Sequence, residues 1–334
     1  MAALARQLMD VSGACHTFSR LLYFGSPWYS TIVQWYRLQR SPHYRYPTSM
    51  DDIQIIYESR NYIVVNKDDL VPIDSFQAPA QVNISEQIRS LFYKRALNNY
   101  HDEQLVDKSE NTMTDKLETD VLSETNEEKT QLELFEETSK EKAQLIRYVH
   151  RLDLGTSGCM CFAKSDVAAA LAYKAFVEKR AIKYYLTLVH GHIHSPYPIF
   201  IDKAIGENAA SYGRIMCTDD FEYCNMPKPA QTHVDILQRG TYDGKPATKC
   251  LVRILTGKRH QIRLHLAHIG HPVIGDYIYT HPIDYKPHRI MLHARSLTIH
   301  SDMEVVDALA PDPFKQKFDP LWKPEERCYP LNKW

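Results

Sequence analysis

Apolar residues recur along the chain in short, distinct patterns. Ile53, Ile55 and the run Ile63-Val64-Val65 flank the polar stretch Tyr57-Glu58-Ser59-Arg60-Asn61, which predicts two short strands around a turn. Ile84, Ile88, Leu91 and Phe92 fall at helical spacing and predict a helix from Ile84 to Leu97. Cys159 to Ala163 is an unbroken apolar run of strand length, the pattern of a buried strand. Asp166 to Arg180 predicts a helix with Ser165 as its N-cap and with Ala169, Tyr173, Phe176 and Val177 facing inward. Lys183 to Val189 and Thr248 to Leu255 read as strands. His260 to Ile269 reads as a helix closed by Gly270, with Ile262, Leu266 and Ile269 toward the core and Arg263 at the edge of that stripe. Strands and helices mix without regular βαβ alternation, which favours the α+β class. No internal repeat interrupts this order.

The patterned text occupies residues 51–320, read as one catalytic domain. Residues 1–50 precede it, rich in Tyr, Trp, Arg and Ser, with Asp10 as their only acidic residue. An acid-poor, Arg-bearing start suits a mitochondrial presequence, or else an extension that packs on the body or stays mobile. Residues 99–146 form an insert rich in Glu, Lys, Thr and Ser and poor in aromatics, which buries little and is expected to be disordered or loosely helical. Residues 321–334 read as a C-terminal tail.

Charge changes this picture. The net charge is only -1, but the stretch from Asp102 to Glu141 holds 14 acidic residues against 4 Lys. The rest of the chain is therefore basic, by about +9, as a phosphate-backbone binder needs to be. No run approaches the ~18 apolar residues of a membrane span, so no membrane partner is expected. The seven cysteines form no C-x-x-C pair and follow no secretory signal, which points to reduced thiols inside the cell. The cytoplasm is the first reading, and the mitochondrion the alternative if the presequence is real.

Two clusters carry candidate chemistry. The first, His150-Arg151-Leu152-Asp153-Leu154-Gly155-Thr156-Ser157-Gly158, precedes a predicted strand and so lies on a loop. Taken alone, Asp153 there is more simply a turn-capping residue than a catalyst. The second runs from Thr256 through Lys258, His260, Arg263 and His265 to Gly275-Asp276. A partly buried Arg263 needs an anionic partner, which any nearby carboxylate can supply. The histidines at 260, 265, 268 and 271 invite a metal reading, but no H-E-x-x-H is present and they fall on different helix faces. Cys217 and Cys224 likewise lack partners at zinc spacing.

Together the clusters resemble the RluA-type pseudouridine synthases, in the branch of RNA pseudouridylate synthase domain-containing proteins. The strand-ending Asn-Lys pair of that family appears as Asn66-Lys67, and its His-Arg-Leu-Asp-x-x-Thr-Ser-Gly run as residues 150–158. Its Lys-x-Tyr-x-x-x-Val-x-Gly block fits Lys183, Tyr185, Val189 and Gly191. Thr256 to Tyr279 fits the long C-terminal block, and Leu292-His293-Ala294 the closing one. The resemblance spans roughly residues 53–315. Asp68-Asp69-Leu70 replaces the usual Pro-x-Gly, Lys258 stands for an Arg, and Thr280 for a frequent Gly. The first 50 residues show no clear S4-type RNA-binding domain, which many relatives carry.

The resemblance implies a pseudouridine synthase fold with a mixed, largely antiparallel central sheet flanked by helices, and a uridine-to-pseudouridine isomerase acting on folded RNA. It assigns the catalytic carboxylate to Asp153, uracil stacking and a general-base role to Tyr185, and to Arg263 the charge that keeps Asp153 ionised. Arg151 is expected to enter the space left by the flipped uridine, with His150 and Leu152 beside it in substrate binding. Attack at C1′, attack at C6 and a glycal route all remain open for Asp153. The reaction is redox-neutral and hydrolyses nothing, so no metal or organic cofactor is expected; RNA is the partner, and the protein is read as a monomer. A catalytically silent RNA-binding protein would be expected to lack Asp153, Tyr185 or Arg263. A metal-dependent hydrolase would lose its activity in excess chelator.

Overall fold

The computed structural model describes residues 53–69, 71–73, 82–95, 98, 146–211, 215–280 and 287–328. The N-terminal 1–50 extension, nearly all of the acidic insert and the last six residues lie outside the described residues. The described chain forms two compact units. One comprises the residues up to Ala181 together with Ser296–Ala310, the other Ile182–Arg295 and the residues from Pro311 onward.

The first unit is built on the apolar runs seen in the sequence. Strands β1 (Gln54–Glu58) and β2 (Tyr62–Lys67) pair antiparallel, as the flanked turn predicts. β2 also pairs antiparallel with β4 (Ser157–Ala163), aligning Val64 with Cys161 and Lys67 with Gly158, and β3 (Arg147–Tyr148) pairs with the far end of β4. Every residue of β4 is buried, which is why its sequence shows no polar alternation. Helix α1 covers residues 84–95, with the Asn83 side chain accepting from the Glu86 amide at its start.

Helix α2 (Asp166–Val177) begins as predicted, with Ser165 Oγ accepting from the Ala168 amide. Its inward face is different. Ala168, Ala172 and Ala175 are buried, whereas Tyr173 and Val177 are 67% and 63% exposed. Small side chains let the helix backbone come close enough for the Tyr62 hydroxyl to donate to the Ala168 carbonyl at 2.9 Å. The helix stops at Val177 rather than Arg180, because Lys179 turns into the left-handed region at φ 58°. In the same unit, Ser296–His300 of β12 (Leu292–His300) pairs antiparallel with β13 (Val305–Leu309).

The second unit holds the longest strands. β5 (Ala181–His190) pairs with β11 (Lys245–Ile254), β11 with β10 (Gln231–Tyr242), and β10 with β14 (Trp322–Arg327), all antiparallel; β6 (Ile199–Asp202) also joins β10. Much of the stretch read as a tail is thus strand, anchored by the fully buried Trp322. A separate three-stranded sheet places β7 (Ile205–Asn208) between β8 (Met216–Thr218) and β9 (Cys224–Lys228). Ile205, Met216, Ala230 and Leu264 form an apolar cluster that joins this sheet to helix α3 (Gln261–His268).

Gln261 fixes the start of α3. Its Oε1 accepts from the Thr256 hydroxyl and the Lys258 amide, and its Nε2 donates to the Gln231 carbonyl and Thr232 Oγ1 on β10. Ile262 and Leu266 are buried as predicted, Ile269 is half-buried, and Gly270 ends the helix at φ 84°. Arg263, expected at the edge of the stripe, is only 2% exposed. The α+β class agrees with the sequence pattern, and the largely antiparallel pairing with what the family resemblance implies.

Candidate active site

In the first unit the loop between β3 and β4 carries His150, Arg151, Leu152 and Asp153. The Thr156 amide donates to the Asp153 carbonyl at 3.0 Å, closing a tight turn that begins at Asp153. Lys67, at the end of β2, is fully buried, and its ammonium donates to the carbonyls of Asp68 (2.8 Å), Leu154 (3.0 Å) and Thr156 (3.0 Å). A buried ammonium is tolerated only when hydrogen bonds replace its hydration. Here two of the three come from the loop, which is thereby tied to the sheet on both sides of Gly155.

The other end of the loop is held by His150. Its Nε2 accepts from the Cys161 amide at 3.0 Å, and its ring lies 5.6 Å from that of Phe176 on α2. Leu152 is buried, Asp153 is half-buried and Arg151 is exposed. Of the three residues expected to bind substrate, Arg151 is exposed, His150 is half-buried and Leu152 is buried.

Tyr185 and Arg263 belong to the second unit. Tyr185 sits on β5 opposite Val252 and is largely buried. Lys183, two residues earlier, shares its face of the strand, and burial lowers its pKa. Arg263 forms a forked ion pair with Asp276: Nε donates to Oδ2 at 2.6 Å and Nη2 to Oδ1 at 2.9 Å. Asp276 is wholly buried, and its Oδ1 also accepts from the amides of Ile278 (2.9 Å) and Tyr279 (3.2 Å). Burial opposes ionisation of Asp276, but the charge and hydrogen bonds of Arg263 and the two amides outweigh it and hold the pKa below the usual carboxylate value. The guanidinium carbon of Arg263 also lies 5.4 Å from the centre of the Tyr279 ring.

The sequence reading gave no role to Lys67, Asp276 or Tyr279. The need of a buried Arg263 for an anion was the one available signal, and the resemblance names Asp153 for it, whereas the forked pair is made with Asp276. Among the described residues no group of three or more His, Cys, Asp or Glu is placed to hold a metal ion. His265 instead shares hydrogen bonds with Thr232 Oγ1 and the Lys203 carbonyl, and His271 with the His190 carbonyl.

Residues 61–268 match the family model described as RNA pseudouridylate synthase. Over 279 residues the chain is 35% identical to the zebrafish (Danio rerio) RNA pseudouridylate synthase domain-containing protein 1, covering 83% of this chain and 80% of that protein. This chain belongs to the RNA pseudouridylate synthase family. It is accordingly an isomerase, an RNA pseudouridine synthase. The solved structure of human RNA Pseudouridylate Synthase Domain Containing 1 superposes with a TM-score of 0.65 at 31% identity, over 86% of this chain and 95% of that one. The Haemophilus influenzae dual-specificity RNA pseudouridine synthase RluA is 35% identical over 156 residues, which is 45% of this chain and 65% of that enzyme.

Proposed function

We propose that the protein isomerises a uridine in folded RNA, transfer, ribosomal or messenger, with Asp153 as the catalytic carboxylate. The C1′–N1 bond breaks, the base turns, and C5 joins C1′; the C5 proton leaves to a base and N1 ends protonated, so atoms balance without a cofactor. A carboxylate suits the first step because it can stabilise positive charge at C1′ or bond covalently. The observation that carries this reading is the clamped loop: Lys67 and His150 hold the backbone on either side of Asp153. A catalytic group gains most from such fixing, since misplacement by about 1 Å can cost about a hundredfold in rate.

Tyr185 stacks on the uracil and takes the C5 proton, and Arg263 supplies the positive charge that keeps Asp153 ionised. The target base leaves its stack at a cost of a few kcal/mol, and Arg151, exposed two residues before Asp153, fills the gap. The six described cysteines are all free thiols, which supports a reducing compartment within the cell.

Asp153→Asn and Asp153→Ala are expected to abolish pseudouridine formation in RNA while leaving the melting profile and RNA affinity near those of the wild type. Wild-type pseudouridine levels in either variant would overturn the assignment.

A further inference from the structure

We infer that Asp276, together with Tyr279, is a positioning device for the isomerisation, fixing both the direction and the plane of the Arg263 guanidinium. This rests on the reading that Arg263 serves Asp153. Stability alone gives little reason for the pair. Two buried charges each lose hydration, and a well-packed apolar pair in the same space is often as stable or more so. The geometry serves orientation instead.

Asp276 is the fixed partner. Its Oδ1 takes the amides of Ile278 and Tyr279 as well as Arg263 Nη2, so the turn itself orients the carboxylate. Just before it, Gly275 stands at φ 77° with the Arg289 carbonyl against the place a Cβ would take, so only glycine lets the turn pack this closely. Asp276 then grips the Nε–Nη2 edge of Arg263. The Nη1 side of the same rigid plane points away from Asp276, so holding the Nε–Nη2 edge also fixes the direction in which Nη1 points. Tyr279 sets the plane: its ring faces the guanidinium, and its hydroxyl is shared with His260 Nδ1 at 2.9 Å and accepts from the Met216 amide at 3.2 Å. The anchoring thus reaches the first turn of α3 and the neighbouring sheet.

The test is a mutant cycle on the full chain, using RNA extracted from cells that lack the protein. Single-turnover pseudouridine formation and RNA affinity are measured for Asp276→Asn, Arg263→Met and the double variant. Asp276→Asn keeps the Oδ1 acceptor for the two amides but loses the charge that orients Arg263. The expected result is a rate loss on the order of a hundredfold at unchanged RNA affinity, with the double variant no slower than Arg263→Met alone. A purely structural role would lower affinity and rate together, or give additive losses, and either result overturns the inference. If Arg263→Met is slow but Asp276→Asn keeps the wild-type rate, the inference fails and the role of Arg263 stands. Wild-type rate in Arg263→Met would overturn both. Should Asp276→Asn fail to fold, Tyr279→Leu carries the same test with the ion pair kept: rate loss without affinity loss, absent in the Arg263→Met background, supports the device, and an unchanged rate overturns it.

Discussion

Replacing Lys67 by Met removes a cation from the interior and keeps nearly the same chain length. Two opposing effects decide the outcome. Deleting the ammonium relieves a desolvation cost of several kcal/mol. Against that, three hydrogen bonds from a charged donor are lost, each contributing about 1.5–3 kcal/mol, and the Asp68, Leu154 and Thr156 carbonyls are left beside a methyl group. The losses exceed the gain, and a net destabilisation of about 2–4 kcal/mol is expected. This corresponds to a fall in Tm of about 5–15 °C, at about 2–4 °C per kcal/mol for a protein of this size class. Activity should fall further than stability implies. At a temperature where the variant remains folded, the Leu154–Thr156 segment is no longer tied to β2, and a drop of about a hundredfold in turnover is expected from the loosened Asp153. Thermal melts and single-turnover pseudouridine formation on the same preparation measure both. Lys67→Arg should not rescue, since a planar fork does not match three carbonyls converging on one point. A Lys67→Met protein that melts within 1 °C of the wild type (about 0.5 kcal/mol) and turns over normally would refute the clamp.

Two other outcomes follow from charge. Deleting residues 102–141 removes 14 acidic residues and 4 Lys; folding and catalysis should persist, with RNA affinity rising and its salt dependence steepening in filter-binding titrations, and a chain that no longer folds would show the segment to be structural. His293 is driven to a pKa of about 3, first by burial and then by Arg289 and Arg295. The unfolded chain therefore binds a proton below about pH 6.5 that the folded protein excludes, so stability is full above that pH. It declines by on the order of 1 kcal/mol per pH unit as pH falls toward 3. Melts between pH 7.5 and 5 should show that slope, and His293→Gln should flatten it.

Much of the first unit was legible because its strands are apolar throughout and the N-cap of α2 is a local signal. The inward face of α2 was not. Spacing weighted by side-chain size selects Tyr173 and Val177, whereas the close approach of the helix needs Ala168, Ala172 and Ala175. β7 to β9 and β14 escaped for another reason: these strands are short or mostly exposed, so Ile-Gly-Glu-Asn and Trp-Lys-Pro-Glu-Glu-Arg carry little apolar alternation. Among the candidate site residues, Asp153, Tyr185 and Arg263 stood out through motif resemblance, which reads side chains. Lys67 contacts backbone carbonyls, and any residue supplies those, so its partners leave no trace in the sequence. Asp276 sits 13 positions from Arg263, and only the folded turn shows that the two meet.

That distinction also explains a departure from the family pattern. Asp68-Asp69-Leu70 stands where Pro-x-Gly is usual, yet Lys67 still finds an acceptor at residue 68, because that hydrogen bond goes to the backbone carbonyl. A substitution can change the identity of that residue without touching the clamp, provided the backbone still presents its oxygen. The Arg263 anchor has no such tolerance: its acceptor is a carboxylate whose charge and two oxygens are both used. The two units thus hold a buried cation in opposite ways. Lys67 is a point charge on which three backbone carbonyl oxygens converge, suited to drawing a loop together from several directions. Arg263 is a plane gripped along one edge, suited to presenting its other edge in a fixed direction. Variation is therefore expected to be wide at position 68 and narrow at positions 275 and 276. Saturation mutagenesis of these three positions, read by pseudouridine formation, checks that contrast.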